Sequence, residues 1–231
     1  MNDGVIIDNP LNYNVEENVV IPNPTKDGYT FIGWTTKNND TPIVNYEIKK
    51  GTIGNLKLIA NYRPNSYKIV YNSLSEGKTV DTQVNYDESV KLRKNTFIKE
   101  GYVFKGWSTV PEGSVTYTDE QEICNLSNKD KDVINLYAVW EVIKLNVKYY
   151  DLFGVILKEE QVAYGNSSTP PEDPFIDGYT FVGWTGDNGL IPTVNVVIEK
   201  GTIGDKNYKA NWKVIDYSIN YDLNGGSISS Q

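Results

Sequence analysis

Three stretches of the chain alternate their side chains with the period of a β-strand. GYTFIGW occupies residues 28–34, GYVFKGW residues 101–107 and GYTFVGW residues 178–184. In each stretch the tyrosine and the phenylalanine fall on one face, while the opposite face carries isoleucine, valine, threonine or Lys105. Because a strand points alternate side chains to opposite faces, the face that tolerates lysine is expected to be partly wet. Each heptad therefore predicts a strand with one buried face.

The tryptophan that ends each heptad breaks this alternation. Strict period two would place it on the wet face, but a glycine precedes it in every copy, and a glycine inside a strand often marks a β-bulge. A bulge there would turn the tryptophan back toward the core, so we predict a structural motif. The alternative is an exposed tryptophan that stacks on sugar or peptide. The heptad residues in question are Gly28, Tyr29, Phe31, Gly33, Trp34, Gly101, Tyr102, Phe104, Gly106, Trp107, Gly178, Tyr179, Phe181, Gly183 and Trp184.

A second alternating segment closes each copy: LIANY at 58–62, LYAVW at 136–140 and YKANW at 208–212. Large residues flank an alanine on the predicted inner face, so the small alanine is expected to admit a neighbouring ring, such as that of the heptad tryptophan. Copy one has Tyr62 where the other copies have tryptophan. The further core positions predicted here are Ala60, Ala138, Trp140, Ala210 and Trp212.

The heptads are 73 and 77 residues apart, which predicts tandem copies of one unit. Copies one and three share the stretch KGTIG, which a longer segment replaces in copy two. Opening strands are predicted at residues 67–72, 144–151 and 217–222. The predicted organisation is copy one at 1–63, copy two at 64–142, copy three at 143–214 and the start of a fourth copy at 215–231.

The two ends of the chain complement one another. Residues 2–9 align with residues 224–231, so copy one is expected to lack its opening strand, and the chain is expected to be a segment of a longer array. Residues 217–223 form an opening strand without a partner. Tail-to-head strand addition between molecules would satisfy both edges.

The joints between copies are short. Only RPNS (63–66), EVIK (141–144) and KVID (213–216) separate a closing strand from the next opening strand, and none resembles a flexible Gly/Ser linker. Such joints predict limited hinge freedom and an elongated rod in which each module contacts only its neighbours.

Composition narrows the functions that the chain can have. The net charge of −8 argues against nucleic acid as a partner, because phosphate binding needs clustered Lys and Arg. The absence of histidine removes Ser–His–Asp sites, His-containing zinc sites and the commonest general base. No apolar run is long enough for membrane insertion, and no signal peptide is visible, so any export signal is expected outside this chain. The one cysteine, Cys124, is expected to be a buried small apolar residue.

Few other residues suggest chemistry. The carboxylate pairs Glu16–Glu17, Asp119–Glu120 and Glu159–Glu160 do not recur in every copy, and neighbours on a strand point to opposite faces. The Asp- and Asn-rich loops at 37–40, 128–132 and 186–189 lack the ligand spacing of a calcium loop. We therefore expect no catalytic residue, no cofactor site and no metal site.

A G-Y-x-F-x-G-W heptad followed by an A-x-W strand, in tandem copies, resembles the Listeria–Bacteroides repeat, also called the internalin B-repeat. Copy one departs from the closing pattern at Tyr62. The resemblance covers nearly the whole chain. It implies a small β-grasp-like (ubiquitin-like) module of bacterial surface or secreted proteins, arrayed between a recognition domain and a wall anchor, and it carries no catalytic residue.

The expected molecule is a mainly β, non-catalytic stalk or spacer in an extracellular, adhesin-like protein of a bacterial surface or cell wall. Its expected partners are adjacent repeats and flanking domains of the same longer protein. The alternative is that the repeats themselves bind host glycan or protein weakly and multivalently, which requires a repeated exposed patch. A carbohydrate-active enzyme is the third hypothesis.

Overall fold

The computed structural model describes residues 12–37, 40–75, 77–227 and 229. The chain divides into two compact units: unit 1 is Met1–Lys99 with Phe104–Glu141, and unit 2 is Glu100–Val103 with Val142–Gln231. The described residues form strands, turns and loops but no helix, which confirms the prediction of a mainly β fold. None of them therefore forms a helix that could cross a membrane.

The first ten strands run through copies one and two. Copy one contributes β1 (Val19–Val20), β2 (Tyr29–Thr35), β3 (Glu47–Ile48) and β4 (Ile59–Pro64). Copy two contributes β5 (Ser66–Asn72), β6 (Thr79–Asn85), β7 (Val90–Lys91), β8 (Tyr102–Ser108), β9 (Glu122–Ile123) and β10 (Val133–Val142). Copy three contributes β11 (Lys144–Tyr150), β12 (Ile156–Ala163), β13 (Tyr179–Gly186), β14 (Gly189–Thr193) and β15 (Lys206–Val214).

Copy two forms a four-stranded sheet in the order β6-β5-β10-β8. The opening strand β5 pairs antiparallel with β6 and parallel with the closing strand β10, with Val133 opposite Lys68. Tyr67, Ile69 and Tyr71 alternate along β5 and are fully buried, so the opening strand supplies one face of the core. The short ladder β7–β9 lies outside this sheet and adds the buried Ile123 and its neighbours to the same core.

Copy three repeats this arrangement in a five-stranded sheet ordered β12-β11-β15-β13-β14. Its opening strand β11 again pairs antiparallel with a hairpin partner, β12, and parallel with the closing strand, β15. In place of the short ladder it has a single bridge between Ser168 and Ile198. The buried residues Leu145, Val147 and Tyr149 match the alternating core positions of β5.

In the described part of copy one, the strands form two two-stranded sheets. β2 pairs only with β4, and β1 pairs with β3. The segment predicted to align with the tail, residues 2–9, lies outside the described residues. The core of this copy comprises Ile21, Trp34 and Ile48, with Phe31, Leu58 and their neighbours packed against it.

The heptad strands of copies one and three carry a bulge at their second glycine. The register of β2 against β4 shifts between Phe31 and Gly33, and that of β13 against β15 shifts between Phe181 and Gly183. The three glycines at this position have φ of 134°, 147° and 125° in chain order. A Cβ at Gly33 would lie 2.5 Å from the backbone nitrogen of Ile43, so both the conformation and the space require glycine here.

The bulge places the heptad tryptophans inside. Trp34, Trp107 and Trp184 are 5%, 1% and 0% exposed. After the register shift, Trp34 lies opposite Ala60 and Trp184 opposite Ala210, so each ring lies above a side chain that is only a methyl group. The tryptophan of every copy makes an edge-to-face contact with the heptad phenylalanine, at centroid distances of 5.5, 5.0 and 5.2 Å.

Two predictions from the sequence are wrong. Cys124 is exposed rather than buried, because the preceding Ile123 points into the core and the next side chain faces outward. Residues 217–222 are not a strand, since no described residue provides them with a ladder partner. A turn follows these residues, in which the N–H of Gly226 donates to the C=O of Leu223 at 2.7 Å.

If the heptad tryptophan anchors the core, removing its side chain should lower the free energy of unfolding much more than removing the side chain of a solvent-exposed neighbour on the same strand. We expect Trp107→Ala to lower the free energy of unfolding by about 3–5 kcal/mol. Lys105→Ala, an exposed position on the same strand, should change it by less than about 0.5 kcal/mol. Urea titrations followed by far-UV circular dichroism measure both. Similar costs for the two variants would contradict this account of the core.

Candidate functional site: the joint between repeats

The chain passes from one copy to the next through a single residue. Asn65 stands between β4 and β5, and Ile143 stands between β10 and β11. The N–H of Asn65 donates to the C=O of Gly28 at 2.9 Å, and the N–H of Ile143 donates to the C=O of Gly101 at 2.8 Å. The same bond recurs a third time, from Ile215 to the first heptad glycine of copy three, at 2.9 Å. The joint is therefore a repeated backbone clamp rather than a free linker.

A tyrosine completes the clamp. The N–H of Tyr86 donates to the C=O of Asn65, and that of Tyr164 donates to the C=O of Ile143, both at 2.8 Å. The two tyrosines occupy the same place in their copies, each 15 residues after a buried core tyrosine of the opening strand. The joint thus links the heptad of one copy to the hairpin partner of the next opening strand.

The ring of each tyrosine lies on the first heptad glycine. A Cβ at Gly28 would lie 2.2 Å from the ring of Tyr86, and one at Gly101 would lie 2.0 Å from the ring of Tyr164. Real atoms do not approach this closely, so the ring occupies the space that any other side chain would need. Gly178 has the same left-handed backbone, but no atom lies within 4 Å of the position its Cβ would take.

Side chains reinforce the joint inside unit 1. Asn65 is buried, and its amide accepts from the hydroxyl of Thr30 at 2.6 Å and donates to the C=O of Asn128 at 2.7 Å. Arg63 forms a bidentate ion pair with Asp130, with nitrogen–oxygen distances of 3.0 and 2.7 Å. Planar, two-point pairs of this kind have a defined geometry, so they fix orientation as well as position.

Two carboxylates at this joint have lowered pKa values. The guanidinium of Arg63 holds the pKa of Asp130 at about 2, helped by the backbone N–H of Ser66. Hydrogen bonds from Asn125 and then Tyr29 lower the pKa of Asp87. The same Asp87 hydrogen bond raises the pKa of Tyr29, because it stabilises the protonated phenol.

The predicted motif residues separate into a core group and a joint group. Phenylalanine, tryptophan and alanine of each copy lie together in one apolar cluster: Phe31, Trp34 and Ala60; Phe104, Trp107, Ala138 and Trp140; Phe181, Trp184, Ala210 and Trp212. The second glycines form the bulge. The first glycines, Gly28, Gly101 and Gly178, lie in the clamps, and Tyr29 contacts the ring of Tyr86 edge-to-face at 5.7 Å.

Sequence reasoning missed the other half of the joint. The repeat pattern does not predict a role for Asn65, Tyr86 or Tyr164. The sequence does contain a signal, because both tyrosines follow a hairpin strand and occur at matched positions in copies two and three. Their importance depends on contact with the preceding copy, which an alignment of copies does not display.

The carboxylates that suggested chemistry are used structurally. Glu159 forms an ion pair with Lys148 at 2.9 Å, and its neighbour Glu160 pairs with Lys158 at 3.0 Å. These are separate partners, so the two carboxylates do not face a common cleft.

The Asp- and Asn-rich loops likewise use their carboxylates as local hydrogen-bond acceptors. Asp187 accepts from the N–H of Asn207 at 2.6 Å, and Asp132 from the hydroxyl of Ser127 at 2.5 Å. The two middle residues of the loop at 37–40 lie outside the described residues. Within the part of the chain that the structure describes, no three His, Cys, Asp or Glu side chains group as metal ligands do.

The three first glycines allow the clamp to be tested with a built-in control. Each has φ between 72° and 79°, so replacement by alanine costs each about 1–2 kcal/mol of backbone strain. Gly28→Ala and Gly101→Ala should lose roughly 1–3 kcal/mol more, because the tyrosine ring must move. Gly178→Ala should lose only the free energy that corresponds to the backbone strain. Urea unfolding, followed by tryptophan fluorescence, measures the three differences; equal losses would refute the role of the tyrosine.

The Arg63–Asp130 pair predicts a pH dependence. The folded pKa of Asp130 lies below its ordinary value, so its contribution to stability is present above about pH 4 and disappears as the pH falls toward 2. Asp130→Asn should therefore lower the thermal midpoint at pH 6 and have little effect near pH 2. Glu141→Gln, which removes the exposed pair with Lys105, is the control. A deficit in Asp130→Asn that is unchanged at pH 2 would contradict the assignment.

The chain is similar to parts of two longer proteins of Evansella cellulosilytica. It is 26% identical over 221 residues to one described as a putative Gly-rich membrane protein, a match that covers 90% of this chain and 25% of that protein. It is 27% identical over 202 residues to one described as a putative membrane protein, covering 87% of this chain and 29% of that protein. The chain thus spans less than a third of each relative.

Among solved structures, the type 2 repeat of the mucus binding protein MUB from Lactobacillus reuteri matches 64% of this chain and 100% of its own length. The sequence identity is 11% and the TM-score is 0.15.

The family comparison agrees with the spacing of the heptads. The profile of the Listeria-Bacteroides repeat domain matches three successive segments, residues 1–61, 67–139 and 146–208. Each segment contains one heptad strand, and the first two also contain the alanine of the closing strand. The chain belongs to the Listeria-Bacteroides repeat family and contains three tandem copies of its domain.

Proposed function

We propose that this chain is a non-catalytic stalk or spacer segment of a bacterial surface or secreted protein. The repeated joint is the observation that supports the proposal. A spacer must transmit position from one module to the next, and the clamp provides this with backbone hydrogen bonds that do not depend on the side chain of the linking residue. Neighbouring repeats and flanking domains of the same longer protein are the proposed partners.

The finer form of the proposal is a rod of β-grasp-like modules of the internalin B-repeat type, placed outside the cell. Each complete copy has a hairpin whose first strand pairs in parallel with the closing strand, which supports a common module. Joints of one residue favour an extended array over modules that fold back on each other. The membership of the repeat family and the relatives described as putative membrane proteins support a surface location.

We do not propose that the heptads bind ligands. Stacking on a sugar or peptide needs an exposed aromatic face, and Trp34, Trp107 and Trp184 present none because each is at least nine-tenths buried. For the same reason, these three tryptophans cannot form the repeated exposed patch that a glycan-binding role would require.

Small-angle X-ray scattering tests the rod. A single compact domain of this length would have a radius of gyration of about 17 Å. Three modules in line should give a radius on the order of 30 Å and a maximum dimension on the order of 100 Å. We expect the extended values, and a broader distance distribution in Gly28→Ala/Gly101→Ala but not in Gly178→Ala. A radius near 17 Å in the wild-type protein would overturn the spacer proposal.

A further inference from the structure

The joint between copies one and two brings two tyrosine rings together. Tyr29 belongs to the heptad strand β2, and Tyr86 follows the hairpin strand β6 of the next copy. Their ring centroids are 5.7 Å apart, and the ring planes meet at an angle of 73°. Both residues lie in unit 1 and are partly exposed, and the hydrogen bonds of both hydroxyls lie at the surface. Two phenols that are close together and open to solvent have the arrangement that oxidative coupling requires.

Each hydroxyl donates to a carboxylate that lies near the other tyrosine in the sequence. The hydroxyl of Tyr29 donates to Asp87 at 2.7 Å, and the hydroxyl of Tyr86 donates to Asp27 at 3.5 Å. A phenol that loses an electron becomes a strong acid, so a hydrogen-bonded carboxylate can accept its proton. The bond from Tyr29 to Asp87 has the length that direct proton transfer needs. The pair therefore has a proton acceptor in place.

A nearby cation makes this acceptor important for Tyr29. The ammonium of Lys26 lies 4.1 Å from the centroid of the Tyr29 ring. A cation over a ring face is attracted by the electrons of the ring, so it opposes the loss of one of them. Transfer of the proton to Asp87 removes the positive charge from the ring as it forms. The amide of Asn125 donates to the other oxygen of Asp87 at 2.8 Å and holds the carboxylate in place.

A second tyrosine pair is closer but lacks both an acceptor and access. The rings of Tyr149 and Tyr208 stack in the core of copy three with centroids 5.0 Å apart, and the two residues are 0% and 4% exposed. The hydroxyl of Tyr149 is buried without a hydrogen-bond partner among the described residues, and burial raises its pKa. The chain therefore contains its own comparison between ring distance alone and ring distance combined with access and a proton acceptor.

We propose that Tyr29 and Tyr86 are the site of a dityrosine cross-link, formed under oxidation by a peroxide, that joins copies one and two covalently. Each phenol gives one electron to the oxidant and releases its hydroxyl proton, that of Tyr29 to Asp87. The two phenoxyl radicals couple through a carbon ortho to each hydroxyl. Each of these carbons then loses its hydrogen as a proton, and each oxygen regains one. One hydrogen peroxide takes up the two electrons and the two protons that leave the pair and becomes two molecules of water.

The cross-link would make the joint permanent. The rings meet edge to face, so one of them must turn until the two ortho carbons face each other, and partly exposed side chains rotate within nanoseconds. The ring of Tyr86 already lies on Gly28, so the new bond would fasten it to the heptad that it contacts. The chain has one cysteine and forms no internal disulfide. Dityrosine would provide a covalent tie that thiols do not reduce.

Peroxidase-catalysed oxidation of the whole chain tests the proposal. Dilute protein is treated with a haem peroxidase and hydrogen peroxide, the fraction that elutes as a single chain is collected, and its peptides are mapped by mass spectrometry. We expect a linked Tyr29–Tyr86 peptide pair that lacks two hydrogen atoms, together with dityrosine fluorescence. Tyr86→Phe should abolish the linked pair, although it keeps the ring on Gly28 and the main-chain bond of the clamp. Tyr221→Phe, which replaces another exposed tyrosine, should leave the yield unchanged.

Asp87→Asn tests the proton acceptor separately from the distance between the rings. Asparagine keeps an oxygen that can accept the hydrogen bond of Tyr29, but it is a much weaker base. It also tolerates the left-handed backbone at this position, where φ is 62°. We expect the initial rate at which the Tyr29–Tyr86 product forms to fall roughly tenfold or more. The fluorescence of dityrosine formed between molecules should change little.

The outcomes that overturn the proposal are distinct from those that support it. A single-chain fraction without the Tyr29–Tyr86 link would overturn it, as would a link found only in dimers. A yield from Tyr149 and Tyr208 equal to that of the joint would show that ring distance alone decides. An unchanged rate in Asp87→Asn would overturn the role of that carboxylate. These results concern the modification site alone, and the scattering experiment tests the spacer role separately.

Discussion

The burial of one tryptophan per repeat is the constraint on which the rest of the structure depends. A module of this size has little interior, and this chain has no internal disulfide to compensate. A large aromatic side chain provides much of the apolar area that a small core needs. The bulge at Gly33 and its counterparts turns the ring inward, and alanine on the adjacent strand leaves the room for it. In copies two and three the opening strand then packs against the ring through Tyr71 and Tyr149.

The heptad therefore contains two glycines with different roles. The second, such as Gly33, belongs to the core because its positive φ makes the bulge that buries the tryptophan. The first, such as Gly101, belongs to the joint because its missing Cβ gives space to the tyrosine of the following copy. One short strand thus determines both the packing of the module's core and its contacts with the next module. This explains why the whole heptad, rather than the tryptophan alone, is written three times in the chain.

Alternation and spacing are sufficient to predict the heptad strands, the closing strands, the opening strands of copies two and three, the bulge at Gly33 and the position of Trp34 opposite Ala60. Each of these depends on residues close in sequence or paired across one ladder. Contacts between copies were not predictable in the same way. In the sequence Asn65 is indistinguishable from an ordinary loop residue. Its role follows from two bonds that only the structure shows: its N–H donates to the C=O of Gly28, and its C=O accepts from the N–H of Tyr86. The prediction that Cys124 is buried is wrong because it relied on the small, apolar character of cysteine. The side chain of the adjacent Ile123 is buried, so alternation along the strand directs Cys124 to solvent. Residues 217–222 have a strand pattern, but a strand forms only where a ladder partner is present.

The joint also lies where mechanical load would act on the chain. The closing strand β10 ends at Val142 and the opening strand β11 begins at Lys144, so tension along the chain would pass through Ile143. The N–H and C=O of Ile143 are both engaged, with Gly101 and Tyr164, so the load would be shared with the backbone of two other segments. In a flexible linker the load would instead extend the chain against entropy alone. A clamp built from main-chain groups tolerates Asn65, Ile143 and Ile215 at the linking position, which is why the joint recurs although its residue changes.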